Sequence, residues 1–121
     1  ELFELMTDGA WTKISLAQDG RLQVTNALKL TREPKELSLG TCQQMYLALR
    51  IALLMTAENV GAALPVLADD ILVNFDNTRR VGAAKALMEL ARVRQVILFT
   101  CHEEVLDALR LTGCELNELT L

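Results

Sequence analysis

Two short apolar runs in the second half of the chain, Leu64 to Ala68 and "QVILFT" ending at Thr100, most narrow what it can fold into. Each has the length of a strand, and each is apolar without alternation, the pattern of a strand covered on both faces. Between them Val81, Ala84, Leu87, Met88 and Ala91 recur at helical spacing and predict an inward face. Asp76 or Asn77 stands ready to cap that helix, which should run from Thr78 to Val93. Upstream, Gly40 to Glu58 predicts a long helix, apolar almost all round and therefore deeply buried. Gly61 and Pro65 bracket a loop. Downstream, "HEEVLDALRLTG" predicts a third helix, with acids in its first turn and Gly113 as its stop. "CELNELTL" predicts an edge strand. Helix, strand, helix, strand, helix, strand is an α/β arrangement on a parallel sheet.

The beginning reads differently. "ELFELMTDG" has the spacing of a helix end, with Gly9 as its C-terminal cap. It lacks an initiator Met and reads as the middle of a longer chain. "WTKISLAQDGRLQVT" then alternates apolar and polar residues around the turn signal "QDG", which predicts a β-hairpin. "NALKL" predicts a short third strand, and Pro34 closes this antiparallel segment.

The 121 residues suit one domain. With 51% hydrophobic residues and a net charge of -4, the chain can fill a core but presents no strong nucleic-acid footprint. Cys42, Cys101 and Cys114 have no CxxC spacing and fit reduced thiols in a cytoplasmic protein. "YLALRIALLM" is too short for a membrane span and is interrupted by Arg50, and the start has no signal-peptide pattern.

Three segments carry chemistry. "LPVLADD" ends an apolar strand in adjacent carboxylates, Asp69 and Asp70, with no basic residue beside them. Paired acids at the carboxyl end of a parallel strand suit a magnesium site, one holding the ion and the other orienting a water. The bland reading is a loop start with capping acids. His102 follows directly on "QVILFT" and stands at the same sheet edge if the strands are neighbours; otherwise it is an ordinary structural histidine. "LSLG" places Ser38 and Gly40 before a long helix, where backbone N–H groups bind anions, or where a serine merely caps.

Together these residues resemble a known family. "LSLGTCQQ" resembles the signature motif of ABC-type ATPase heads in the SMC-like group, "LPVLADD" the Walker B strand, "LVNFDN" the D-loop, and "VILFTCH" the switch-histidine strand. All four stand in the family's order, and "DD", "VNFD" and "FTCHE" resemble the YhaN-like branch of SMC/RecN-type ATPases. The close resemblance covers residues 35 to 105. It implies a fold, the C-terminal half of a P-loop NTPase head. Residues 1–9 would be the stub of a coiled-coil helix, 10–34 a β segment and 35–121 the nucleotide lobe.

The resemblance also implies site residues. Leu37, Ser38 and Gly40 would form the signature loop that meets the γ-phosphate of an ATP held by an opposite protomer, with Gln44 supporting it. Asp69 would position Mg²⁺, Asp70 would polarise the attacking water, and His102 would sense the γ-phosphate. Asn74 and Asp76 would form the D-loop across a head–head interface. Implied partners are an N-terminal Walker A lobe, a second head, DNA and a nuclease.

Some features depart from the family. Asp70 stands where most such heads have Glu, and Leu39 and Cys42 replace residues that are often small or charged. No GxxxxGK[ST] phosphate loop exists, because none of the six glycines is followed by Lys. The expectation is half of an ATP site, completed by the companion lobe and inactive alone. A non-catalytic interaction module on the same fold is the alternative. A phosphoacceptor receiver domain fits poorly, since Asp107 is the only Asp after Asp76 and no Lys follows Lys85.

Overall fold

The computed structural model describes residues 1–56 and 64–121, so the expected loop at Gly61 and helix end at Glu58 lie outside the described residues. Helix α1 (Leu2–Met6) buries Phe3 and Met6. It ends in two left-handed residues, Asp8 (φ 52°) and Gly9 (φ 81°), and the Gly9 N–H closes the turn on the Glu4 carbonyl at 2.9 Å. The cap therefore begins one residue before Gly9, at an Asp, one of the few side chains that tolerates this conformation.

Strands β1 (Trp11–Leu16) and β2 (Leu22–Asn26) pair antiparallel, with Ile14 opposite Val24 and Leu16 opposite Leu22. Gly20 at φ 83° makes the turn between them. The expected strand in "NALKL" is a turn instead. The Asn26 carboxamide oxygen accepts from the N–H groups of Leu28 and Leu30, and Lys29 adopts φ 63°. An Asn that binds its own downstream backbone competes with strand pairing. The third strand, β3 (Thr31–Arg32), comes after it and pairs with β2. Pro34 then opens a single 3₁₀ turn, Pro34–Glu36.

Helix α2 (Leu39–Thr56) buries one stripe: Gln44, Met45, Ala48 and Ile51. It is not buried all round, since Leu39, Tyr46 and Leu53 are exposed, Leu53 to 69%. Strands β4 (Val66–Asp69) and β5 (Val96–Phe99) pair in parallel, in register from Val66 opposite Val96 to Asp69 opposite Phe99. The expectation of two covered faces fails in the same way. Val66, Val96 and Leu98 pack against the core, whereas Leu67 (66% exposed), Ile97 and Phe99 (49%) lie open on the other face.

Helix α3 (Asn77–Ala91) has Asp76 as its N-cap and buries Ala83, Ala84, Ala86, Leu87 and Leu90; Ala91, expected inward, is exposed. Helix α4 (Glu103–Leu111) ends before Gly113 at φ 73°. Residues 114–121 form no strand. Leu116 packs on the core, and Arg110 holds the Glu118 carboxylate through two bonds of 3.0 and 2.9 Å, which anchor the tail without a ladder.

One cluster joins these parts: Phe3 and Met6 of α1, Val24 of β2, Met45 and Ile51 of α2, Leu72, Leu87 and Leu90, and Val105 and Leu109 of α4. Full burial of side chains this size contributes about 1.5–3 kcal/mol each. That is several-fold more than helix propensity per residue, so packing sets the layout. The seam of α1 is tight. A Cβ on Gly82 would lie 2.1 Å from the Met6 carbonyl oxygen, and the buried Gln44 amide donates to that oxygen at 2.9 Å.

Candidate functional site

The parallel pairing of β4 with β5 puts Asp69 and Asp70 at the same sheet edge as Thr100, Cys101 and His102. Asp70 sits at φ 52°, directly after β4. It is held there by its own N–H, which donates to the Phe99 carbonyl at 2.7 Å. The Thr100 hydroxyl donates to Asp70 Oδ1 at 2.7 Å and accepts the His102 N–H at 3.2 Å. That leaves Oδ2 of Asp70 turned toward His102 Nε2, 3.4 Å away, while Nδ1 faces Glu104 Oε1 at 3.6 Å. His102 is the N-cap residue of α4, but its ring makes no capping bond. Asp69 is exposed, and among the described residues no hydrogen bond or ion pair engages its carboxylate.

The loop between β4 and α3 is fixed from inside. Leu72 and Phe75 are buried, and so is the guanidinium-bearing Arg80, which is 7% exposed. Arg80 donates to the carbonyls of Leu72 (3.1 Å), Phe75 (2.6 Å) and Val73 (3.4 Å), and to Asn77 Oδ1 (2.8 Å). A buried cation is tolerable only when its donors are met, and here the loop backbone meets them. Asn74 points out of this loop as an exposed residue.

A second cluster forms around Ser38. Its hydroxyl accepts the Thr41 N–H at 3.2 Å and donates to Thr41 Oγ1 at 2.9 Å, so it caps α2. Leu37 packs partly buried beneath it. Arg79 lies across Gly40: a Cβ there would stand 2.8 Å from Arg79 Nε. The same guanidinium reaches Ser38 Oγ at 3.4 Å and Thr41 Oγ1 at 3.5 Å, and pairs with Asp76 Oδ2 at 2.5 Å. The Arg79 N–H, donated to Asp76 Oδ1, and the guanidinium hold the Asp76 carboxyl below the usual carboxylate range. Arg79 thus ties the Ser38–Gly40 loop to the Asp76 loop. Gln44 stands apart. It is 3% exposed, and its amide binds the backbone of α1 rather than the open face of the loop. Among the described residues no hydrogen bond or ion pair joins the Asp70–His102 cluster to the Ser38–Asp76 cluster.

No protein-family model matches the chain. It is 37% identical over 110 residues to the uncharacterized protein YhaN of Bacillus subtilis (strain 168), an overlap of 89% of this chain but 11% of that protein. The chain therefore spans about a tenth of the curated relative it matches. Among solved structures, an SmcHead bound to the C-winged helix domain of ScpA superimposes with a TM-score of 0.64 at 18% identity, over 88% of this chain and 34% of that one. A chain from the structural biochemistry of ATP-driven dimerization and DNA-stimulated activation of SMC ATPases gives 0.60 at 16%, over 88% and 66%. The chain has the fold of an SMC-head C-terminal lobe.

Within this SMC-head fold, Arg79 and Arg80 are the residues that motif reading passed over. One feature of the sequence pointed to them. "DNTRR" puts two cations in the first turn of a helix, where the dipole disfavours positive charge. Cations there need local acceptors, and these two take theirs from the loop before α3 and, for Arg79, also from Ser38 and Thr41. Cys101 was read only as a reduced thiol, yet one ligand atom from each of Asp70, Cys101 and His102 lies within 4.8 Å of the others.

Proposed function

We propose that this chain is the C-terminal half of an ATPase head, which binds and hydrolyses ATP when joined to a lobe carrying the phosphate loop. The supporting observation is the strand-end cluster, in which Asp70 is fixed by Thr100 and Phe99 with one carboxylate oxygen directed at His102. Asp70 polarises the attacking water through Oδ2, and His102, facing the same oxygen, contacts the γ-phosphate. Asp69 fits Mg²⁺: a hard, exposed carboxylate at the carboxyl end of a parallel strand suits an ion that keeps several waters and shares phosphate oxygens. Bound there, Mg²⁺ supplies charge neutralisation for phosphoryl transfer.

The open face of Leu67, Ile97 and Phe99 receives the companion lobe. Residues 1–9 are the stub of the returning coiled-coil helix, 10–34 the β segment, and 35–121 carry the signature, Walker B, D-loop and switch-histidine regions. Leu37, Ser38 and Gly40 present the signature loop to ATP on a second head, Gln44 supports it from below, and Asn74 and Asp76 cross that interface as the D-loop. ATP binding closes a head dimer and hydrolysis opens it. The ATP-driven dimerization and DNA-stimulated activation of SMC ATPases, and the ScpA domain bound to an SmcHead, support this reading. The motif resemblance extends the proposal to a cytoplasmic role in DNA maintenance or repair, with DNA and a nuclease as partners. A non-catalytic module would keep the same fold without turnover.

The test is ATP hydrolysis by this chain joined to its companion lobe, with and without Asp70→Asn. The amide is nearly isosteric but cannot polarise water as a carboxylate does. ATP binding should persist while turnover falls about 100- to 10,000-fold. Hydrolysis at the parent rate by Asp70→Asn would remove Asp70 from this role, and no hydrolysis by the parent head would favour the non-catalytic module.

A further inference from the structure

We propose that Asp70, Cys101 and His102 form a Zn²⁺ site distinct from the oxygen-only magnesium position at Asp69. One ligand atom from each of the three lies within 4.8 Å of the others. The Asp70–His102 separation of 3.4 Å is long for a hydrogen bond. It equals the ligand–ligand spacing of a tetrahedral zinc centre, roughly 3.3–3.6 Å from usual Zn–N, Zn–O and Zn–S lengths. The set itself is selective. A thiolate, an imidazole and a carboxylate suit a borderline-soft ion, whereas Mg²⁺ prefers oxygen alone.

Thr100 orients Asp70 by a hydrogen bond, as outer groups do in zinc proteins, and Glu104 lies beside His102. Glu104 faces His102 Nδ1, which leaves Nε2 toward Asp70. Thr100 holds Oδ1 of Asp70, which leaves Oδ2 toward His102. A cation between Nε2 and Oδ2 would bind both atoms at once. Cys101 is exposed at the rim, so its side chain can turn in, and its proton passes to solvent on binding. Three protein ligands leave the fourth position to water. Zinc here takes the Asp70 oxygen that polarises the attacking water, so it inhibits the head. That consequence rests on the function proposed above; the site itself does not.

The test uses the 121-residue chain with no nucleotide. Zinc affinity is measured by competition with a chromophoric chelator in excess Mg²⁺, and Co²⁺ serves as the spectroscopic probe. A single Zn²⁺ should bind, and Co²⁺ should show thiolate-to-metal charge transfer in the near ultraviolet. Cys101→Ser should abolish that absorption and weaken zinc by more than about 100-fold, beyond the usual loss for an outer group. His102→Ala should weaken it comparably. Both side chains lack structural hydrogen bonds to other residues' backbones, and Cys42→Ser and Cys114→Ser should leave zinc and the cobalt spectrum unchanged. Charge transfer that survives Cys101→Ser, or zinc affinity insensitive to Cys101→Ser and His102→Ala, would overturn the site. Neither readout needs ATP, so inactivity of the head would leave them unaffected.

Discussion

Gly82 is the residue on which the seam between α1 and α3 depends. In an open helix, Gly→Ala stabilises by about 1 kcal/mol. Here the added methyl would meet the Met6 carbonyl at 2.1 Å, and that oxygen is also the acceptor for the buried Gln44 amide. Backbone cannot rotate away as a side chain does, so α1 must shift and the Gln44 bond must stretch. Overpacking of this kind costs about 1–3 kcal/mol and outweighs the propensity gain. Gly82→Ala should therefore lower the urea midpoint; a raised midpoint would mean that α1 does not dock as described. At this scale the motif residues were legible because strand-end acids and a helix-leading Ser-Gly stand out in any sequence. Gln44 was legible as a position but not as a contact, because its partner is a backbone oxygen 38 residues away.

The loop between β4 and α3 behaves as an element in its own right, organised by Arg80. Replacing Arg80 with Met keeps much of the side-chain volume but leaves the carbonyls of Val73 and Phe75 without their donor and that of Leu72 with only the long Phe75 N–H bond of 3.5 Å. Each buried unsatisfied group costs about 1–3 kcal/mol. Amide hydrogen exchange in residues 70–76 should rise in Arg80→Met while exchange in the β1–β2 hairpin stays constant. Equal exchange in this loop before and after substitution would show that Arg80 does not pin it. Most elements were legible from periodicity: the hairpin, α2, α3, α4 and both parallel strands stand where apolar spacing put them. "NALKL" and "CELNELTL" were misread for one reason. Both place leucines at alternating positions in part, but Asn26 captures its own backbone in the first, and the second is held by Leu116 and the Arg110–Glu118 pair without a neighbouring strand.

Across the whole molecule, the sequence overstated burial on the outer faces of α2, β4 and β5. Apolar runs mark residues suited to being covered and do not say whether this chain or another supplies the cover. Leu53, Leu67 and Phe99 are exposed here, and in the proposed head the sheet residues meet the companion lobe. The chain's own nucleotide contacts would then be few: a magnesium carboxylate, a water-polarising carboxylate and a histidine, with no phosphate-cradling loop. The central claim is that this is half of an ATP site. Calorimetric titration of Mg-ATP into the chain alone tests it most directly. No saturable binding should occur in the micromolar range, and binding should emerge when the companion lobe is supplied. Micromolar affinity of the chain by itself would contradict the claim.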